Sequence, residues 1–285
     1  RASLGRAACA ARKGDAAKAA LIYGQLARSS IADVRDRSRL AAAVLGLKSG
    51  QDAEAHLRTL QAMSLGPDPR FADAARLCIG RFHLDRGNCP QAAETFSVLA
   101  ARARDVALRD TAIAGLAHAL AALGLPPADA IGWHALALRD AAEGRVEAAL
   151  TRFDLALKAG LPPQFAADAL WHAALCAENL GRLGQAAAAY ELGSAEHPSD
   201  PRAPAMLLAA ARCRVRLAQP DRGLAHLQRL AAADPALAAS DEAALLHALA
   251  RMQSGDPEAA GRLFDDLASR PSCRGPFRAL AMLWR

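Results

Sequence analysis

An all-α chain of tandem antiparallel helix pairs, stacked as an α-solenoid, is what this sequence predicts, and three observations carry the prediction. Alanine, leucine and arginine dominate while aromatics make up only 4% of residues, a composition that lowers the entropy cost of helix and serves strands poorly. Glycines recur as a ladder at Gly14, Gly50, Gly87, Gly124, Gly144, Gly181 and Gly255, with Ala218 standing in the same series; all but two of the steps are 37 residues. A fixed period of this size is the mark of a repeat architecture. Finally, two columns follow the anchors: a small residue five positions on and a bulky one nine positions on.

The elements follow in order from that frame. In the first pair a helix ends at Gly14, Asp15 opens the next, and Ala19 and Tyr23 fill the columns. Gly50 gives Ala55 and Thr59; Gly87, preceded by the amphipathic stretch Ala75 to Asp85, gives Ala92 and Phe96. Each glycine ends one helix by taking the left-handed conformation at little cost, and a proline or acidic residue such as Pro90, Asp256 or Pro257 opens the next. The fourth anchor breaks the ladder. Gly124 lies only 20 residues before Gly144, its small-residue column holds Asp129, and Leu125-Pro126-Pro127 follows it. The sequence therefore predicts a lone helix near Ala107 to Leu123 and a bend after it. The ladder then resumes: Ile131 to Ala142 before Gly144 with Ala149 and Phe153, Gly181 with Ala186 and Tyr190, Ala218 with Gly223 and Leu227, and Gly255 with Ala260 and Phe264. Phe277, Leu280, Leu283 and Trp284 recur at helical spacing between Pro276 and Arg285, which reads equally as a capping helix and as the first helix of a further pair. The expected organisation is a block over 1–124 (three pairs and the lone helix), a proline-containing break over 125–130, a block of four pairs over 131–274, and the terminal segment 275–285.

With Trp133, Leu136 and Ala137 before Gly144, Gly80 before Gly87, and Pro198 and Pro235 closing the sixth and seventh pairs, the pattern resembles the tetratricopeptide repeat over nearly the whole chain. The family repeat is usually about 34 residues, so a 37-residue period implies longer loops or longer helices. The resemblance implies a right-handed superhelix and a scaffold, rather than an enzyme, that binds protein or peptide; the alanine and arginine bias points to a bacterial source. Two other settings fit the same sequence: the periplasmic helical region of an export or secretion machine, and the regulatory region of a longer enzyme or transcription regulator.

In that family the concave groove is lined by the first helix of each pair. Carried over residue by residue, this gives Arg12, Lys48, Arg81, Asn179, Arg212 and Arg216 with His118 as polar flanks. Leu40, Leu77, His134, Trp171, Leu208 and Leu245 form the floor. Basic flanks over an apolar floor imply a partner segment bearing acidic and apolar residues. The carboxylate clamp used for chaperone tails needs asparagines on the first helices, and the chain holds only Asn88 and Asn179, so that function is not expected.

The remaining composition mostly excludes. A net charge of +6, with 35 basic against 29 acidic residues, is a modest excess, and no basic tail accompanies it, so nucleic acid is not an expected partner. No membrane insertion is expected, because no apolar run approaches the length that spans a bilayer. The chain is expected to be soluble, and its compartment, cytoplasm or periplasm, stays open. Cys9, Cys78, Cys89, Cys176, Cys213 and Cys273 form no paired motif, the eight histidines form no i, i+4 pair, and no nucleotide, metal or acyl-transfer motif occurs, so neither cofactor nor catalysis is expected.

Overall fold

The structure is a computed structural model that describes residues 2–50, 52–271, 273 and 275–284. Its described residues form seventeen α-helices and no strand. By contact the chain divides into two compact units, Arg1–Ala135 and Leu136–Arg285.

The first unit holds the pairs α1 (Ala2–Arg12) with α2 (Ala16–Leu26), α3 (Ala32–Ser49) with α4 (Ala53–Ser64), and α5 (Pro69–Asp85) with α6 (Cys89–Arg102). Then come α7 (Val106–Leu123) and the start of α8 (Ala130–Ala142). Each helix from α2 to α7 packs on the one before it, and α3, α5 and α7 also touch as successive first helices. The second unit continues from α8 through α9 (Val146–Lys158), α10 (Pro163–Asn179), α11 (Leu183–Glu196), α12 (Ala203–Arg216) and α13 (Pro220–Ala233). It ends with the single turn α14 (Pro235–Ala238), α15 (Asp241–Gln253), α16 (Pro257–Ser269) and α17 (Pro276–Trp284). α17 packs on both α16 and α15, the place a further first helix takes, and leaves Met282 and Leu283 exposed; Arg285, the last residue of the expected terminal segment, lies outside the described residues.

The turns explain the ladder. All seven anchor glycines have positive φ, from 65° to 82°, and Ala218 joins them at 54°. At six anchors the residue after the turn donates its N–H five positions back and the anchor donates three positions back, as in Arg182 N to Ala177 O at 2.8 Å and Gly181 N to Glu178 O at 2.9 Å. These are Schellman closures, which satisfy the carbonyls a helix end leaves open. Gly124 instead donates four positions back, to Leu120 O at 3.2 Å, the simpler left-handed cap. The closure at the end of α7 thus differs from the six Schellman turns, and Asp129 then accepts from Gly132 N–H (2.6 Å) and the Ser97 hydroxyl (2.7 Å) at the start of α8.

The columns form the core. Ala19, Ala92, Ala149, Ala186 and Ala260 are fully buried, as are Phe153, Tyr190 and Phe264, with Phe96 at 1% exposure. Large buried side chains of this kind contribute roughly 2–3 kcal/mol each. The second pair corrects the sequence frame. Ala55 is exposed and Thr59 only partly covered, whereas Leu60 is fully buried. The cause is one extra residue in the turn: α4 begins three positions after Gly50 instead of two, with Asp52 also at positive φ. One residue rotates a helix by about 100°, so His56 and Leu60 take the two columns, and a Cβ on Gly46 would overlap the His56 ring.

One further expectation is corrected. α7 is long and apolar enough, by length and composition alone, to cross a membrane, where no such run was expected. Alanine-rich packing accounts for it, since Ala112, Ile113, Leu116, Ala117 and Ala119 are buried in a helix that packs against α5 and α6.

Candidate partner-binding face

Helix spacing decides which side chains the first helices share. In the second unit, positions thirteen, ten, six, three and two before each anchor bring Asp168, Trp171, Glu178 and Asn179 of α10 to the same face as Arg212 and Arg216 of α12 and Glu242 of α15. The ion pairs confirm the alignment across three helices. Arg212 donates through Nε and Nη2 to Glu178, both at 2.9 Å, and through Nη1 to Glu242 at 2.8 Å. A planar guanidinium suits this double engagement. Arg216, half-exposed, reaches Glu178 at 3.6 Å. The two carboxylates, through their hydrogen bonds first, raise the Arg212 guanidinium above its ordinary range.

Beneath this ladder lies an aromatic support. The Tyr190 hydroxyl, on fully buried Tyr190, donates to Glu178 at 3.3 Å, and burial, reinforced by the Glu178 charge, pushes that phenol far up. Trp171, partly exposed, meets Tyr190 edge to face at a centroid distance of 5.5 Å. Toward the start of α10, Asp168 pairs with Arg202 and lies 3.6 Å from His172, whose ring stacks on Phe153 at 5.9 Å.

Of the residues expected to line a groove, the structure gathers Trp171, Asn179, Arg212 and Arg216 on this face, Asn179 and Arg216 being exposed. In the first unit Lys48 and Arg81, both exposed, act together on the half-buried thiol of Cys78, which burial nonetheless pushes upward. Arg12 is exposed at the end of α1. The floor residues differ in cover: Leu208, Leu245 and His134 are buried, Leu40 and Leu77 partly so.

The expected basic flank is changed by two residues that the sequence reading passed over. Glu178 and Glu242 occupy the same lining columns three and thirteen before their anchors, and they neutralise Arg212 from both sides. Reading those columns for acidic residues as well as basic ones would have found them. The face in the second unit is therefore a balanced lattice with Arg216 at its edge, and not a basic stripe.

Elsewhere the chemistry is quiet. Among the described residues no cluster of three or more histidine, cysteine or acidic side chains is arranged to hold a metal ion. Cys176 and Cys213 are buried, and burial pushes the Cys213 thiol up to about 11, away from its reactive thiolate.

No family model and no curated protein matches the chain. Among solved structures it is similar to PilW, a widely conserved type IV pilus biogenesis factor, at 16% identity over 87% of this chain and 98% of that one, with a TM-score of 0.45. It is also similar to a tetratricopeptide repeat protein from Parabacteroides merdae at 11% identity, 99% and 97% coverage and a TM-score of 0.37. A third is the TPR2AB domain of yeast Sti1 in its complex with pHSP90, at 14% identity, 88% and 97% coverage and a TM-score of 0.34. Helix pairing, left-handed turns and packed columns establish the architecture without these likenesses: the chain is a tetratricopeptide-like array of helix pairs.

Proposed function

We propose that the chain is a protein-interaction scaffold that holds a partner segment against the first-helix face of α10, α12 and α15. The observation that supports this most is Trp171, left partly exposed against fully buried Tyr190, whose hydroxyl is tied to Glu178 and through it to Arg212 and Glu242. A partly exposed aromatic held in one orientation binds with little further loss of side-chain entropy, which is how interface anchors work. Arg216 and Asn179 add exposed donors further along the same face, suited to a segment that offers carboxylates or backbone carbonyls as well as an apolar residue.

A photo-crosslinking amino acid at Asn179, with a second copy at exposed Arg229 as control, tests the face in cells of the source organism. The expected result is a discrete adduct at position 179 that is absent at 229 and disappears when Trp171→Ala is added. The same adduct persisting undiminished in the Trp171→Ala background would count against this face.

A further inference from the structure

The second helices carry a cleft of their own, and in one repeat it is filled by an ion pair. Between α11 and α13, over α12, Glu191 accepts from Arg214 Nε (2.6 Å) and Nη2 (2.7 Å) and lies 2.8 Å from His226 Nε2. One period of 37 residues further along, Arg251 stands in the place of Arg214, Gln228 in that of Glu191 and Leu263 in that of His226. The equivalent cleft, between α13 and α16 over α15, is a cavity of about 490 Å³ lined by Asp221, Leu224, Gln228, His247, Arg251 and Leu263 among others. So the arginine is retained and its carboxylate is replaced by an amide.

The other acidic groups nearby do not substitute. Among the described residues none forms an ion pair with Arg251: Asp221 lines the cleft without pairing, and Asp256, one period after Gln219, accepts from Ala259 N at 3.1 Å as the cap of α16. His247 lies one turn from Arg251, and burial, then the Arg251 charge, lowers its pKa from the ordinary value. The same cleft recurs in the first unit, where Gln61, His83 and Thr95 line a cavity of about 320 Å³; there the arginine position is His83, whose pKa burial lowers.

We infer that the cleft between α13 and α16 binds a carboxylate side chain of an extended partner segment, received by Arg251 as Glu191 is received by Arg214, with an aliphatic neighbour seated against Leu224 and Leu263. The shape favours a segment over a small acid. The lining follows α13 from Asp221 to Ala231, about 15 Å of helix, the reach of some four or five extended residues. This site is lined by α13, α15 and α16, shares no named residue with the first-helix face proposed above, and stands independently of it.

Calorimetric titration of the full chain with the capped pentapeptide Ala-Leu-Glu-Leu-Ala, its glutamine analogue and hexanoate tests the assignment. The glutamate peptide is expected to bind about tenfold tighter than the analogue, the difference a charge-assisted hydrogen bond makes. Gln228→Glu supplies an internal carboxylate for Arg251, so it is expected to raise the melting temperature while losing the peptide; Arg251→Gln loses it as well, and Trp171→Ala leaves the titration unchanged. Equal binding of the two peptides, binding too weak to detect, or a Gln228→Glu chain that binds like the parent would overturn the site. Hexanoate binding as tightly as the glutamate peptide would overturn the partner segment as its occupant.

Discussion

Ala218 makes the same left-handed turn as Gly181 one repeat earlier, at φ 54° against 72°, and each closes its helix with the same pair of backbone hydrogen bonds. The difference is a Cβ. An L-residue held in this region costs roughly 1–2 kcal/mol, and the larger unfolded-state freedom of glycine offsets part of any gain from removing it. Ala218→Gly is therefore expected to stabilise the second unit by about 0.5–1 kcal/mol, a rise of a few degrees in melting temperature. Gly181→Ala, where nothing lies within 4 Å of the added Cβ, is expected to lose a similar amount through the backbone alone. Thermal melts of the two variants against the parent read both signs; an Ala218→Gly chain that melts no higher shows the turn to be unstrained.

Phe96 is boxed by two glycines from different helices. A Cβ on Gly80 of α5 would approach its ring to 2.6 Å, and one on Gly115 of α7 to 2.7 Å. With Phe96 at 1% exposure the ring has nowhere to move, so Gly80→Ala and Gly115→Ala are each expected to cost about 1–3 kcal/mol as overpacking. Phe96→Leu should relieve part of either penalty. A double-mutant cycle on Gly115→Ala and Phe96→Leu is expected to show a coupling of about 1 kcal/mol, and strictly additive effects would remove the contact from the account.

That box shows where sequence was legible and where it was not. Gly80 fell in the small-residue position of a periodic pattern, and the turn glycines and the buried alanine column were readable because each is a local demand repeated at a fixed period. Gly115 belongs to α7, which ends at the anchor where the 37-residue ladder breaks, so no repeat pointed to it. The slip at α4 was hidden for a related reason: an extra turn residue leaves the 37-residue spacing of the anchors nearly intact while rotating Leu60 inward in place of Thr59. The candidate face was half legible. Spacing gave Trp171, Arg212 and Arg216 a common side, but what a charge does there depends on which opposite charge the next helix presents, and Glu178 and Glu242 come from helices 30 or more residues away.

The Glu191 network makes stability depend on acid. Hydrogen bonds from Arg214 first, opposed by burial and aided by His226, hold the Glu191 carboxyl below its usual value of 4.5, and Arg202 does the same for Asp200. A depressed carboxylate contributes stability that is complete above its unfolded pKa and is lost as pH falls through the folded one. The urea midpoint is thus expected to fall between about pH 5 and about pH 3, and Glu191→Gln to flatten that fall. At neutral pH the same variant leaves the Arg214 side chain, 9% exposed, short of its counter-charge, at a cost of about 2 kcal/mol. An acid profile with the same slope in both chains would place the titrating groups elsewhere.

Arg212 and Arg216 stand four residues apart on α12 and separate structure from recognition. Arg212 bridges Glu178, 15% exposed, and Glu242, 31% exposed, and removing it takes that cation from Glu242 and leaves Glu178 only the longer contact with Arg216. Arg212→Ala is expected to destabilise the second unit by about 2–3 kcal/mol, because stripping one partner from a covered ion pair strands the other. Arg216, 53% exposed at 3.6 Å from Glu178, holds an exposed ion pair of little worth, so Arg216→Ala is expected to shift stability by less than about 0.5 kcal/mol. Any loss of partner binding in the Arg216 variant then reports the face itself, whereas loss in the Arg212 variant reports folding as well. Urea melts of both chains decide the point: comparable destabilisation of the two would mean that the ladder from α10 through α12 to α15 does not divide its work between them.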